Sequence, residues 1–82
     1  MTRHERRLHR VAGLLCGVAC EDTEGLSRRL DAYATGLCAA RRWVRLGHDS
    51  IALELLIRRV RRLRDMAERT AIRRIWRQRD SL

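Results

Sequence analysis

His9, Cys16 and Cys20 stand at i, i+7 and i+11, which is one face of a helix. With Cys38 as a fourth donor they make a Cys3His set, the chemistry of a zinc site. Structural zinc sites draw their cysteines from short knuckles in loops, whereas two of these donors fall in mid-helix. Buried cysteine acting as a small hydrophobe accounts for the same residues, so no metal is expected. His4, His9 and His48 are scattered along the chain. There is no Ser/His/Asp set, no acid pair and no Gly-rich phosphate loop. The expectation is a protein that is not an enzyme and takes no cofactor. Three cysteines are an odd number, which suits a reducing, cytoplasmic setting better than a disulfide framework.

The second chemical signal is charge. Nineteen arginines face ten acids, a formal net charge of +9, and there is no lysine. Total replacement of Lys by Arg reads as the codon bias of a GC-rich genome, which discounts the charge as evidence of function. The excess sits at the ends: +3 over residues 1–20, zero over 21–50 and +6 over 51–82. Arg58, Arg62, Arg69, Arg73 and Arg77 line one face of the last helical segment. That face can grip phosphates, which makes nucleic-acid binding the alternative function. Aromatic residues are only 4% of the chain, too few for base stacking, and Tyr33 belongs to an apolar stripe. A DNA-reading helix-turn-helix needs a short recognition helix, and the last segment is too long for one.

Positioning these residues falls to helices. The 82 residues imply one small domain over 1–82, with a marginal core that favours a staple or a partner. No apolar run reaches about 18 residues, so no membrane span is expected. The periodicity is helical throughout. Residues 4–19 place His4, Leu8, Val11, Leu15 and Val18 in one stripe, weakened by Gly13 and Gly17. The same stretch imitates a signal peptide, with Arg3 to Arg10 basic and Gly17-Val18-Ala19-Cys20 close to a lipobox. An amphipathic helix explains it better, since Glu5 interrupts the basic part and Gly13 and Gly17 dilute the apolar run.

Residues 24–46 place Leu26, Leu30, Tyr33, Leu37, Ala40 and Val44 in a heptad stripe. Asp22 or Thr23 would cap its start and Gly47 its end. Residues 50–79, capped by Asp49, place Leu53, Leu56, Val60, Leu63, Ala67 and Thr70 in a matching stripe widened by Ile57, Ala71 and Ile75. Glu54–Arg58 and Asp65–Arg69 are i,i+4 pairs in the favourable orientation. Two such stripes across the link Gly47-His48-Asp49 make an antiparallel helical hairpin in an all-α fold.

Apolar residues are left over. Ala32, Gly36, Ala39 and Trp43 form a second row about 100° round the second helix, with Leu46 at its edge. Leu55, Met66, Ile72 and Trp76 fall outside the main stripe of the third. The first helix could fold back over these faces, a partner protein could cover part of them, and the two can hold together. Small residues in a row admit a partner helix closely, and Trp is a common interface anchor. Contact with a partner is therefore assigned to Ala32, Gly36, Ala39, Trp43, Ile72 and Trp76. A homo-oligomer formed through the Ala/Gly row is a further possibility.

Leu26-Ser-Arg-Arg-Leu30 with Ala34 and Leu37, the turn Leu46-Gly-His-Asp49, the run from Leu63 to Trp76 and the tail Arg79-Asp80-Ser81 carry a family resemblance. From Gly25 to Leu82 the chain resembles the small E component of type III secretion systems, the YscE/SsaE/EscE family. It departs from that family where Ile51 and Ala52 stand near the position of a usual aromatic. The resemblance implies a cytoplasmic co-chaperone built as a helical hairpin. With a TPR-like partner it would hold the needle subunit before export.

Overall fold

The computed structural model describes residues 1–44 and 47–80. The elements are α1 (Arg3–Cys16), α2 (Thr23–Ala40), a single 3-10 turn (Arg41–Trp43) and α3 (His48–Asp80). The expected all-α hairpin is present. Arg64 pairs with Asp31 at 2.9 Å and Arg41 with Glu54 at 2.6 Å. The sequence separation falls from 33 residues to 13 between those two bridges, as antiparallel helices closing on a turn require. Thirty-three residues of α3 span about 50 Å. That length sets the 53 × 19 × 16 Å extent of the molecule.

α1 folds back onto the hairpin. Leu8 and Ala12 of α1 enter a core with Leu26, Leu30 and Ala34 of α2 and Val60, Leu63 and Ala67 of α3. Leu15, Val18, Tyr33, Leu37, Leu56 and Met66 pack at its margin. Full burial of a Leu or Val side chain contributes about 1.5–3 kcal/mol, so the few large core residues carry most of the stability.

α1 differs from its expected form in two respects. Its buried face is Glu5, Leu8 and Ala12, while His4 and Val11 of the expected stripe are exposed. The small Ala12 lets α1 sit close over the α2/α3 seam, and Glu5 finds polar partners there. The helix also spans 3–16 instead of 4–19. Thr2 caps its start, accepting from the Glu5 amide at 3.2 Å in a capping box. Gly17 ends it in a left-handed conformation, φ 66°, with its amide on the carbonyls of Ala12 and Gly13. Gly17 is thus a stop signal rather than a weak point in a longer helix.

The hairpin link is longer than expected. Asp22 caps α2, accepting from the Gly25 amide at 2.7 Å. α2 ends at Ala40, not 46, and tightens into the 3-10 turn, which satisfies terminal carbonyls. Val44 is extended, φ −98° and ψ 122°. Gly47, with φ 147°, therefore belongs to the connection and is not the cap of α2. Asp49 lies inside the first turn of α3, where its charge complements the helix dipole, and does not cap it. Leu46, Ser81 and Leu82, named in the sequence reading, lie outside the described residues.

Two expected ion pairs are replaced. Glu54 reaches across the hairpin to Arg41, not along α3 to Arg58. Asp65 pairs with Arg64 at 3.0 Å, and Arg69 donates to the Asp65 backbone carbonyl at 3.3 Å. The cross-helix geometry wins because it ties two elements together. Ile75, expected to widen the α3 stripe, is half-exposed because α3 runs on past the start of α2.

Candidate partner-binding surface

The docked α1 covers the seam of the hairpin and leaves the second row of α2 open. Ala32, Gly36 and Ala39 are all exposed. A Cβ placed on Gly36 would meet no atom within 4 Å. Trp43, on the 3-10 turn, is 87% exposed. On α3, Leu55 is 53% exposed, Ile72 45% and Trp76 58%, whereas Met66 packs against the core.

These residues fall into two groups. Trp43 stands beside the level of Glu54, fixed by the Arg41 bridge. Trp76 lies 22 residues farther along α3, about 33 Å away along the helix axis. The α2 row with Trp43 is therefore one surface that runs from the level of Arg64, bridged to Asp31, to the hairpin turn. Ile72 and Trp76 belong to a second surface at the far end.

Arg58, Arg62, Arg69, Arg73 and Arg77 are all exposed on α3. Arg3, Arg6, Arg7 and Arg10 are exposed on α1. Five carboxylates are in ion pairs among the described residues: Glu24 with Arg28, Asp31 and Asp65 with Arg64, Glu54 with Arg41 and Glu5 with Arg74. Hydrogen bonds from Arg64 to Asp31 and Asp65 hold its guanidinium still more firmly in the charged form. Arg79 lies 6.0 Å from the Trp76 ring centroid, at the outer limit of a cation–π contact.

Where the three helices meet there is a polar cluster that the spacing of apolar residues does not reveal. Glu5 is only 3% exposed. Thr23 Oγ1 donates to Glu5 Oε2 at 2.7 Å, and Arg74 Nη1 reaches the same oxygen at 3.2 Å. Thr2 Oγ1 donates to Glu5 Oε1 at 3.3 Å. His9 Nε2 lies 3.3 Å from Thr23 Oγ1, whose one hydrogen is engaged with Glu5, so the oxygen serves His9 as an acceptor. The Thr23 bond, chiefly, holds the Glu5 carboxyl below its usual range; burial opposes it, and Thr2 and Arg74 add to the lowering. Thr23 is 2% exposed, so its hydroxyl is out of reach of a substrate. The cluster is a clamp that fastens α1 to α2 and α3. The one sequence signal for it is the capping box, Thr2 with Glu5 three residues on.

His9, Cys16, Cys20 and Cys38 are not assembled into a metal site. His9 is engaged by Thr23, and Cys38 accepts from Arg61 Nη2 at 3.2 Å. Burial pushes the Cys16 thiol up. No group of three or more His, Cys, Asp or Glu among the described residues is placed to hold a metal ion. Among the described residues no helix is long and apolar enough to cross a membrane. No protein-family model matches the chain, and neither the curated proteins nor the solved structures give a match.

Proposed function

We propose that this chain is a non-enzymatic binding protein of the cytoplasm, a type III secretion co-chaperone that works with a TPR-like partner to hold the needle subunit. One observation carries the reading. With α1 already docked, the row Ala32, Gly36, Ala39 stays open beside a Trp43 that is 87% exposed. A strip of small residues next to an aromatic anchor suits close approach by a partner helix. The resemblance over residues 25–82 supplies the partner class. Ile72 and Trp76 would form a second contact with the same complex.

Co-expression with the needle subunit and TPR-like protein encoded beside it, followed by affinity purification, tests the proposal. The expected result is a defined ternary complex, weakened at least about tenfold by Trp43→Ala, the usual scale for a buried aromatic anchor. The variant should keep its helicity, since Trp43 makes little use of the core. Recovery of the chain alone would remove the co-chaperone reading. The nucleic-acid reading rests on the exposure of Arg58, Arg62, Arg69, Arg73 and Arg77. It predicts steeply salt-dependent binding to DNA or RNA, lost when Arg62, Arg69 and Arg73 are neutralised and indifferent to Trp43.

A further inference from the structure

The face of α3 turned away from the core has a pattern of its own. From Ile51 it steps through Leu55, Arg58, Arg62, Asp65, Arg69 and Ile72 to Trp76, alternating spacings of four and three. This is a second heptad row, half a turn from the buried Val60, Leu63 and Ala67. Its ends are apolar and open: Ile51 is 61% exposed and Leu55 53%, Ile72 45% and Trp76 58%. Its middle is basic. Arg58, Arg62 and Arg69 are exposed, and among the described residues none of them has a carboxylate partner. Asp65, the one acid in the row, is already held by Arg64.

We propose that this outer face of α3 binds an acidic amphipathic helix. The row spans 26 residues, about 37 Å from end to end, so it takes a straight helix of similar length. That helix carries apolar residues at both ends of one face and Asp or Glu between them. The heptad spacing matches side-by-side packing at a shallow crossing angle. Charge selects this occupant. A second copy laid antiparallel would match the apolar ends but set Arg58 against Arg69, offer Arg62 only an Asp65 that Arg64 already holds, and bring together two chains of net charge +9. A nucleic-acid backbone would meet the arginines and leave Ile51, Leu55, Ile72 and Trp76 with nothing apolar to cover them. An acidic helix satisfies both parts of the row. The inference shares Ile72 and Trp76 with the co-chaperone reading but does not depend on it. A chain that binds the acidic helix yet recovers no TPR-like partner keeps this inference and overturns that reading.

The test uses the full chain and a synthetic peptide of about 28 residues, long enough to cover the row. The peptide has Leu at the heptad positions of its end turns and Glu at the central ones. A control peptide has Gln for every Glu. Trp43→Phe leaves Trp76 as the only tryptophan, and binding is read by its emission and by calorimetry. The expected result is saturable binding with a blue shift. It should weaken roughly tenfold or more with the Gln peptide, with Arg58→Glu/Arg62→Glu/Arg69→Glu, or on raising salt from about 50 to 300 mM. Trp76→Ala should cost a similar factor. No saturable binding of the Glu peptide, or equal binding of the Gln peptide to the unaltered chain, overturns the proposal. So does displacement of the peptide by a DNA duplex, or a dimer of the chain abolished by Leu55→Glu. The Gln-peptide comparison uses native protein, so the proposal stays testable if a variant fails to fold.

Discussion

At the scale of single residues the most consequential group is the Glu5 carboxylate. It is buried, and its partners come from the N-terminus, α2 and α3 at once. Removing such an acceptor leaves Thr23 and Arg74 without it, which costs about 1–3 kcal/mol. Glu5→Gln should therefore lower unfolding free energy in urea by an amount in that range at pH 7. The sign of its pH dependence follows from the lowered folded value. Stability from this group is fully present above the unfolded value of 4.5 and is lost as pH falls from there through the lower folded value. Native protein should lose this increment below about pH 4.5, and Glu5→Gln should show a flatter acid limb. Parallel acid limbs for the two proteins would mean the clamp contributes nothing. In the sequence Glu5 shows as an interruption of a basic stretch and, three residues after Thr2, as the partner in a capping box. Its burial depends on Thr23 and Arg74, which are 18 and 69 residues away.

Among the elements, α2 carries the sharpest contrast between what folding needs and what the proposed partner would need. Gly36 sits mid-helix with open space where a Cβ would be. Glycine there costs about 1 kcal/mol relative to alanine, so Gly36→Ala should stabilise the chain by up to that amount in thermal or urea melts. Gly36→Leu should fold as well as native protein yet abolish the complex, because the added side chain fills the approach of a partner helix. A Gly36→Leu chain that still forms the complex would place the partner elsewhere. The helix ends show where periodicity falls short. The apolar stripe of the second segment runs on to Val44, yet the helix stops at Ala40. A heptad stripe reports which face is apolar, not where the backbone turns. At that end the backbone tightens into the 3-10 turn, and Arg41 bridges to Glu54 of α3, a contact that exists only once the hairpin has closed.

For the whole molecule, the question is how much α1 contributes. The hairpin forms the main interface, and α1 closes one side of it with Leu8 and Ala12. Large-to-small changes at such positions cost about 2–5 kcal/mol, a large share of the total stability of a small domain. Leu8→Ala should thus lower the urea midpoint strongly while α2 and α3 keep most of their far-UV circular dichroism below it. A midpoint unchanged from native protein would show that α1 does not hold the core.

Periodicity and turn residues alone carry the helical class, the antiparallel hairpin and the residues of its seam. Leu26, Leu30, Val60, Leu63 and Ala67 were legible because burial on one face of a helix leaves a period of 3.6 in the chain. The sequence also marked Ala32, Gly36, Ala39, Trp43, Ile72 and Trp76 as apolar or small residues in excess of one buried face. Which excess is covered was a matter for tertiary structure. α1 turned Glu5, Leu8 and Ala12 inward and left those two groups in water, their tryptophans about 33 Å apart along α3. The reason is that the docking of α1 rests on a buried carboxylate with distant partners and on the close fit of Ala12, neither of which has a periodic signature. The outer row of α3 became meaningful for the same reason: its spacing was present in the chain, but only the packed fold established that nothing of the described chain lies over it.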